Sequence, residues 1–384
     1  MALTEAQLLV DDVWREVSKH YVDPTYNGQG EEGWKQQRTK ALTQVANVAP
    51  EDDREIVVDA IRNMLKSLGD PYTRFLREDQ FATLKSYATG SVVGDGGIGV
   101  QLIGDPASGF ILVANVVPNS PAARAGLQPG DLIESIDGQS LSQSTAEIAA
   151  AKCRGEEGSK VNLKVLRRQK GKADSEQEYS LVRSPVQTNP VQSSTMKTPS
   201  GKSVGIITLK SFNQQTTSQV IDALDKKLQS AEVLVVDLRG NPGGYMPAGV
   251  DVAKLFLPPK ARVISEVDRS GRATIFINDG VGSDTTRPLF LLVDERSASA
   301  SEILAAALQD NHRATIVSDD NHTFGKGRIQ NVQELFDGSG LAITKAKYTT
   351  PSGKDIQGAG IVPDIKSEAC GKHSSVALCI ESLL

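Results

Sequence analysis

Apolar positions in the first seventy residues recur every three or four places. Over residues 5–22 they fall at Leu9, Val10, Val13, Trp14, Val17 and Tyr21, and over residues 51–68 at Val57, Val58, Ile61, Met64, Leu65 and Leu68. Each set traces one face of a helix. A Gly-, Pro- and Asn-rich run at 23–33 separates them, so the opening region reads as a small helical unit ending near GDPYTRFL at 69–76. Over residues 91–183 the period shortens. IGVQLI, GFILVANVV, DLIESIDG and KVNLKVLRR are β-branched runs broken by turns, with one helical stretch, STAEIAAAKC, among them. The Pro-, Ser- and Thr-rich segment 184–202 has the composition of a linker. Beyond it, apolar strands (VGIITLKSF, EVLVVDLRG, RPLFLLVDE, RATIVSD) alternate with helical runs, a pattern that predicts a mostly parallel sheet covered on both faces. The expected architecture is α/β and multidomain: an N-terminal helical region at 1–90, a β-rich domain at 91–184 and an α/β core at 185–384. A chain of 384 residues is long enough for more than one core.

Composition narrows the function classes. Lys and Arg number 42 against 47 Asp and Glu, with no basic block and few aromatics, so a nucleic-acid partner has no electrostatic footprint. A protein or a small molecule is the expected substrate. No apolar run approaches the roughly 20 residues that span a bilayer, and acids interrupt the apolar stretch of MALTEAQLLVDDVWREV, which reads as neither anchor nor signal peptide. Peripheral association is the most expected of a membrane. The four histidines (His20, His312, His322, His373) and three cysteines (Cys153, Cys370, Cys379) form no ligand pattern, so neither metal nor cofactor is expected. Cys370 and Cys379 bracket eight residues, a spacing that suits a disulfide or two free thiols equally.

The candidate chemistry lies in DERSASASEILAAALQD and TFGKGRIQ. Ser297, Ser299 and Ser301 stand where a buried strand gives way to a strong helix former. Unpaired amides and the helix dipole at such a junction favour an oxyanion. Ser299 followed by Glu302 also fits a helix capping box, which needs no catalysis to explain it. Lys326 sits between Gly325 and Gly327, which permit close backbone approach. A phosphate-binding loop fails here, because Asp320 occupies the first glycine position and Gly327 follows the lysine. GDGGIG at 94–99 fits a dinucleotide fingerprint by letter only, since it runs into β-branched residues rather than a helix. VVDLRGNPGG at 235–244 ends a strand in a tight turn at the carboxyl end of the sheet, where sites on open α/β sheets collect.

Together these segments resemble the carboxyl-terminal processing peptidases, a family of serine/lysine proteases that carry a PDZ domain. The resemblance rests on LGDPYTRFL, GGIGVQL, SPAARAGLQPGDLIESIDG, CRGEEGSKV, DLRGNPGG, SASASE, TFGKGRIQ and YTTPSGKDIQGAGIVPDI, and covers nearly the whole chain. It implies a ClpP/crotonase-like α/β protease core behind the PDZ domain. It also implies Ser299 as nucleophile, Lys326 as base, Gln330 orienting that lysine, and the backbone amides of Gly244 and Ala300 as oxyanion donors. Asp237, Arg239 and Glu302 would support the site. The PDZ loop Gly96, Gly97, Ile98 and Gly99 would take a peptide carboxyl terminus, with Ile98, Val100 and Leu102 lining the groove beside the STAEIAAAKC helix, and Arg154 would communicate with the core. Two departures stand out: SDDNH before Thr323 is about two residues longer than usual, and Arg296 replaces a common glycine. YNGQ at 26–29 is similar to the plant and cyanobacterial branch, which implies the photosystem II D1 precursor as partner and the thylakoid lumen of the chloroplast, or a periplasm-like compartment, as location.

Peptide hydrolysis needs Ser299 to lose a proton. A free lysine titrates near 10.4, so a lysine base must be partly desolvated to work near neutrality. A PDZ domain adds an extended tail to a sheet edge and receives its carboxylate on backbone amides. The runner-up reading is a non-catalytic scaffold that only binds tails. It gives no reason for Ser299, Lys326 and Gln330 to occur together.

Overall fold

The computed structural model describes residues 3–48, 54–82, 96–105, 108–142, 144–168, 173–186, 189–371 and 375–383. The expected start of the β-rich domain, 91–95, lies outside them. Three helices, Glu5–His20, Gly30–Gln44 and Arg54–Lys66, pack on one apolar cluster. The middle helix begins inside the Gly-rich run and was not expected. It buries only Trp34 and Ala41, too few positions to show a period. Trp34 stacks on Tyr26 and donates its indole N–H to Ser18 Oγ at 2.9 Å, which anchors the helix through a single large side chain. The helical unit is also not self-contained. Leu335, Leu341 and Ile343 complete its cluster, and Arg74–Leu76 pairs antiparallel with residues 340–342 of the core.

In the β-rich domain five strands run in the order Val100–Gly104, Ile111–Val116, Leu132–Ile136, Lys160–Arg167, Ser175–Val182. Two helices accompany them where one was expected. The extra one, Pro121–Ala125, is a five-residue turn capped by Ser120 and closed by Gly126, too short to leave a periodic pattern. The other, Ala146–Cys153, lies beside Val100–Gly104, the edge strand.

The core holds a six-stranded sheet in the order Val191–Lys197, Ser203–Leu209, Val233–Asp237, Leu289–Leu292, Thr315–Ser318, Ile365–Lys366. Its first pairing is antiparallel and the other four are parallel, as the apolar strands predict. The first strand corrects the linker reading: its mostly exposed, polar residues belong to a sheet edge. Alternate residues face opposite layers. Leu234 and Val236 meet the helices Thr216–Lys226, Met246–Phe256 and Ala300–Asp310, while Val233 and Val235 meet the carboxyl-terminal segment around Cys370, Cys379 and Ile380. A second, antiparallel sheet was not foreseen; it joins Arg262–Asp268, Ala273–Ile277, Arg328–Glu334 and Gly340–Thr349 with Arg74–Leu76.

Candidate active site

The parallel strand Leu289–Leu292 ends in a turn that leads into the helix Ala300–Asp310, and the three serines of that turn have different fates. Ser297 is fully buried and donates to the Leu238 carbonyl at 2.9 Å; Ser301, equally buried, donates to the Asn241 carbonyl at 2.9 Å. Both hydroxyls are occupied in holding the turn to the loop that follows Val233–Asp237. Ser299 is the one left partly open to solvent. Its backbone stands at φ 56° and ψ −114°, a conformation costly for a residue with a Cβ and one that gathers at functional positions.

Glu302 joins this turn to the lysine. Its carboxylate is fully buried and accepts four hydrogen bonds: Oε2 from the amides of Ser299 (2.9 Å) and Lys326 (2.8 Å), Oε1 from Thr323 Oγ1 (2.6 Å) and the Gly325 amide (2.6 Å). Burial still raises its pKa above the usual carboxylate range, against these four donors. One carboxylate oxygen thus receives the backbone nitrogens of both Ser299 and Lys326. The longer SDDNH segment does not disturb this. Thr323 N–H donates to Ile361 O (3.1 Å) and Phe324 N–H to Ser297 O (3.0 Å), and Asn321 and His322 are exposed ahead of the anchored stretch.

The two glycines around Lys326 are explained by a neighbouring loop, not by a phosphate. A Cβ on Gly325 would lie 2.9 Å from Gly358 N, and one on Gly327 2.8 Å from Ile356 Cγ1. Gln357 in the same loop accepts the Gly327 amide at 3.1 Å. The loop that carries Lys326 is therefore clamped between the helix start and residues 355–358.

Facing Ser299 is the turn Asn241 to Gly244. Asn241 is fully buried; its side chain donates to Leu209 O (2.9 Å) and accepts the Gly243 amide (2.9 Å), while its carbonyl accepts the Ala298 amide (3.1 Å). A Cβ on Gly243 would lie 2.9 Å from both Ser299 Cβ and Ala300 N, so only glycine leaves room beside Ser299. Among the described residues the amides of Gly244 and Ala300 donate no hydrogen bond. Two unpaired N–H groups beside a half-open serine can receive a developing oxyanion.

The sequence relationships match this geometry. Residues 203–367 fit the model of peptidase family S41, and residues 112–167 that of a PDZ domain. A carboxyl-terminal-processing protease of Synechocystis sp. is 40% identical over 365 residues, covering 95% of this chain and 81% of that protein. Carboxyl-terminal-processing peptidase 2, chloroplastic, of Arabidopsis thaliana is 38% identical over 369 residues, covering 94% and 69%. The chain belongs to the carboxyl-terminal-processing proteases of peptidase family S41. A solved photosystem II D1 C-terminal processing protease superposes with a TM-score of 0.77 at 34% identity, over 94% of this chain and 93% of that one. The protein is a serine-type peptidase with a PDZ domain.

In this peptidase the other residues singled out in the sequence fall in two groups. Asp237 and Arg239 form a buried bidentate ion pair (2.8 and 2.7 Å), and Arg239 Nη1 reaches the carbonyls of Cys370 and Gly371. They tie the carboxyl-terminal segment, closed by a Cys370–Cys379 disulfide, to the end of the strand that feeds the Asn241 turn. Gln330 does not bond to Lys326; its side-chain amide donates to Thr344 Oγ1 at 3.3 Å. In the PDZ domain, Gly97 pairs in register with Ser184, Gly99 adopts φ 79°, and Val100 and Leu102 are half-buried on the edge strand. The Ile98 side chain corrects the groove reading: at 1% exposure it belongs to the domain's core. Arg154 is exposed at the carboxyl end of helix Ala146–Cys153. Contacts to the PDZ domain that the sequence did not announce come from Arg296 and Arg74. Arg296 pairs with buried Asp294 (2.6 Å) and donates to Ala114 O (3.0 Å) on a PDZ strand, and Arg74 donates to Ser144 O. Ile103 and Ala114 pack against Ala298, so the PDZ domain rests on the turn that carries Ser299.

Proposed function

We propose that Ser299 and Lys326 form the catalytic dyad of this peptidase. The observation that carries the reading is the Glu302 oxygen shared by their two backbone amides, which fixes nucleophile and base side by side across residues distant in sequence. Ser299 Oγ gives its proton to Lys326 Nζ as it attacks the scissile carbonyl. The amides of Gly244 and Ala300 hold the oxyanion, and Lys326 passes the proton to the leaving amine. Water, deprotonated by the same lysine, then opens the acyl-enzyme, and Ser299 regains its proton. Asp237, Arg239 and Glu302 keep the parts in register without touching the reacting atoms.

The substrate is the carboxyl-terminal tail of a protein, added to the edge strand Val100–Gly104 with its carboxylate on the amides of the Gly97 to Gly99 loop. Likeness to the D1 processing protease and to chloroplastic and cyanobacterial relatives supports the D1 precursor of photosystem II as that protein and the thylakoid lumen as the compartment. The test uses a peptide with the carboxyl-terminal sequence of a D1 precursor, as free acid and as amide, digested by wild type and Ser299→Ala and read by mass spectrometry. Wild type is expected to release the tail of the free acid, to act at least about tenfold more slowly on the amide, and Ser299→Ala to release nothing. Cleavage by both proteins rejects the nucleophile; equal rates on acid and amide reject carboxylate capture.

A further inference from the structure

Lys326 Nζ makes no hydrogen bond or ion pair among the described residues, and it faces an aromatic ring from the far end of the chain. The Tyr72 centroid lies 6.0 Å from the ammonium. Tyr72 is 5% exposed and rigidly held: its amide donates to Asp70 Oδ1 at 2.9 Å, Thr73 Oγ1 donates to Asp70 Oδ2 at 2.7 Å and accepts the Thr344 amide at 3.0 Å, and the next residues enter the second core sheet. A second route ties Tyr72 to the base loop. Gln357 Nε2 donates to the tyrosine hydroxyl at 3.5 Å, while Gln357 Oε1 accepts the amide of Gly327, the residue after the lysine. Burial holds the Tyr72 hydroxyl above its ordinary titration range, so the tyrosine brings no charge of its own beside the amine.

We propose that Tyr72 is a positioning residue for the general base: its ring walls the Lys326 amine on one side and, through Gln357, fixes the loop that presents it. This rests on the dyad reading above. A lysine has a four-carbon stem and, with no acceptor to hold its head, would sample several rotamers; a fixed aromatic face removes some of them and keeps water off that side. The segment DPYTR thereby makes the helical amino-terminal region part of the active site. The same support extends to Gln330, whose side chain donates to Thr344 Oγ1; the Thr344 amide donates to Thr73 Oγ1, and Thr73 donates to the Asp70 carboxylate that also holds the Tyr72 amide.

The test compares steady-state cleavage of a free-acid tail peptide by wild type, Tyr72→Phe, Tyr72→Leu, Gln357→Met and Lys326→Ala. Tyr72→Leu is expected to lower kcat by about 10- to 100-fold, the scale of a small misplacement of a catalytic group, with KM within about twofold. Tyr72→Phe keeps the ring and gives up the hydroxyl that accepts from Gln357, so its kcat is expected to fall by no more than the Gln357→Met loss and by clearly less than in Tyr72→Leu. Gln357→Met lowers kcat by about three- to tenfold, and the Tyr72→Leu/Gln357→Met pair loses less than the product of the two, because both act through one loop. Wild-type kcat in Tyr72→Leu, a loss confined to KM, or equal damage from Phe and Leu overturns the proposal. If Tyr72→Leu does not fold, Gln357→Met decides alone, and wild-type kcat there overturns it. An active Lys326→Ala rejects the dyad itself, whereas an inactive Lys326→Ala beside a fully active Tyr72→Leu rejects only the positioning role.

Discussion

The proposed nucleophile and its proposed base are built in opposite ways. Ser299 owes its place to a strand, a turn and a helix contiguous in sequence, locked from behind by Asp294, Asn241 and the hydroxyls of Ser297 and Ser301. Lys326 lies on an irregular loop whose every support comes from elsewhere: Glu302 from the nucleophile helix, Gln357 from a later loop and Tyr72 from the amino-terminal region. The first half is local geometry and the second is tertiary assembly. Substitutions should divide accordingly, with those in the local half separating cleanly into chemistry and stability.

The largest effect tests that separation. Ser299→Ala is expected to lower kcat by about 10⁴- to 10⁶-fold with an unchanged melting temperature, whereas Ser297→Ala and Ser301→Ala keep turnover within about tenfold and lose about 1–3 kcal/mol in urea unfolding, the cost of an unpaired buried acceptor. On the base side Lys326→Arg should be as inactive as Lys326→Ala, because a guanidinium stays protonated. A Lys326→Arg protein that retains even a hundredth of wild-type kcat would remove the lysine from the base role.

Gly243→Ala and Glu302→Gln probe the seam between the halves. The added methyl would meet Ala298 O at 2.6 Å and crowd the free Ala300 amide, so a kcat loss of about 10²- to 10³-fold is expected, equal to losing an oxyanion donor. Glu302→Gln turns an NH₂ toward backbone N–H groups and should cost activity on both sides of the seam at once. Its pH dependence has a defined sign. Since burial raises the folded-state pKa of Glu302 above its ordinary 4.5, its contribution is fully present below the unfolded value and lost as pH rises through the folded one. Wild-type stability relative to Glu302→Gln should therefore decline as pH climbs from about 4.5. A difference that grows with pH instead would mean that the four donors outweigh burial.

The same contrast explains what the sequence discloses. Parallel strands, the helix after Ser299 and the tight Asn241 turn leave local patterns, and the ordered motifs single out Ser299 and Lys326. Glu302 shows as half of a capping box and, by the family resemblance, as a support of the site, but neither discloses that it accepts from Thr323, Gly325 and Lys326. Tyr72 and Gln357 fall within motifs that carry the family resemblance, but what each does depends on a partner far along the chain, and Asp294 holds the distant Gly240 amide as well as its neighbour Arg296. Arg296 is visible as a departure from the family pattern, but its bond to Ala114 O depends on how two domains meet. The second sheet escapes for a related reason. One of its strands, Arg328–Glu334, is half-exposed and polar, another, Ala273–Ile277, is apolar yet exposed, and the sheet joins three separated parts of the sequence.

The smallest expected effect on catalysis marks how far the local half extends. The Cys370–Cys379 bond closes a short loop against the face of the sheet opposite the nucleophile helix, with both sulfurs fully buried. A loop of this length restricts the unfolded chain by about 2–3 kcal/mol. Arg239 grips the Cys370 and Gly371 carbonyls with the same guanidinium that pairs with Asp237, and Gly240, the next residue, begins the turn that carries Gly244, one of the two proposed oxyanion donors. If that turn is secured by Asp294 and Asn241 alone, Cys370→Ser/Cys379→Ser loses the full stability increment in urea unfolding while kcat on a tail peptide changes less than about threefold. If the disulfide steadies the turn through Arg239, kcat falls by tenfold or more and Arg239→Met reproduces the loss with the disulfide intact. Parallel melting curves and turnover on the two variants distinguish these outcomes. The Asp294 carboxylate, which accepts the Gly240 amide at 2.9 Å and is closed off from solvent, favours the first.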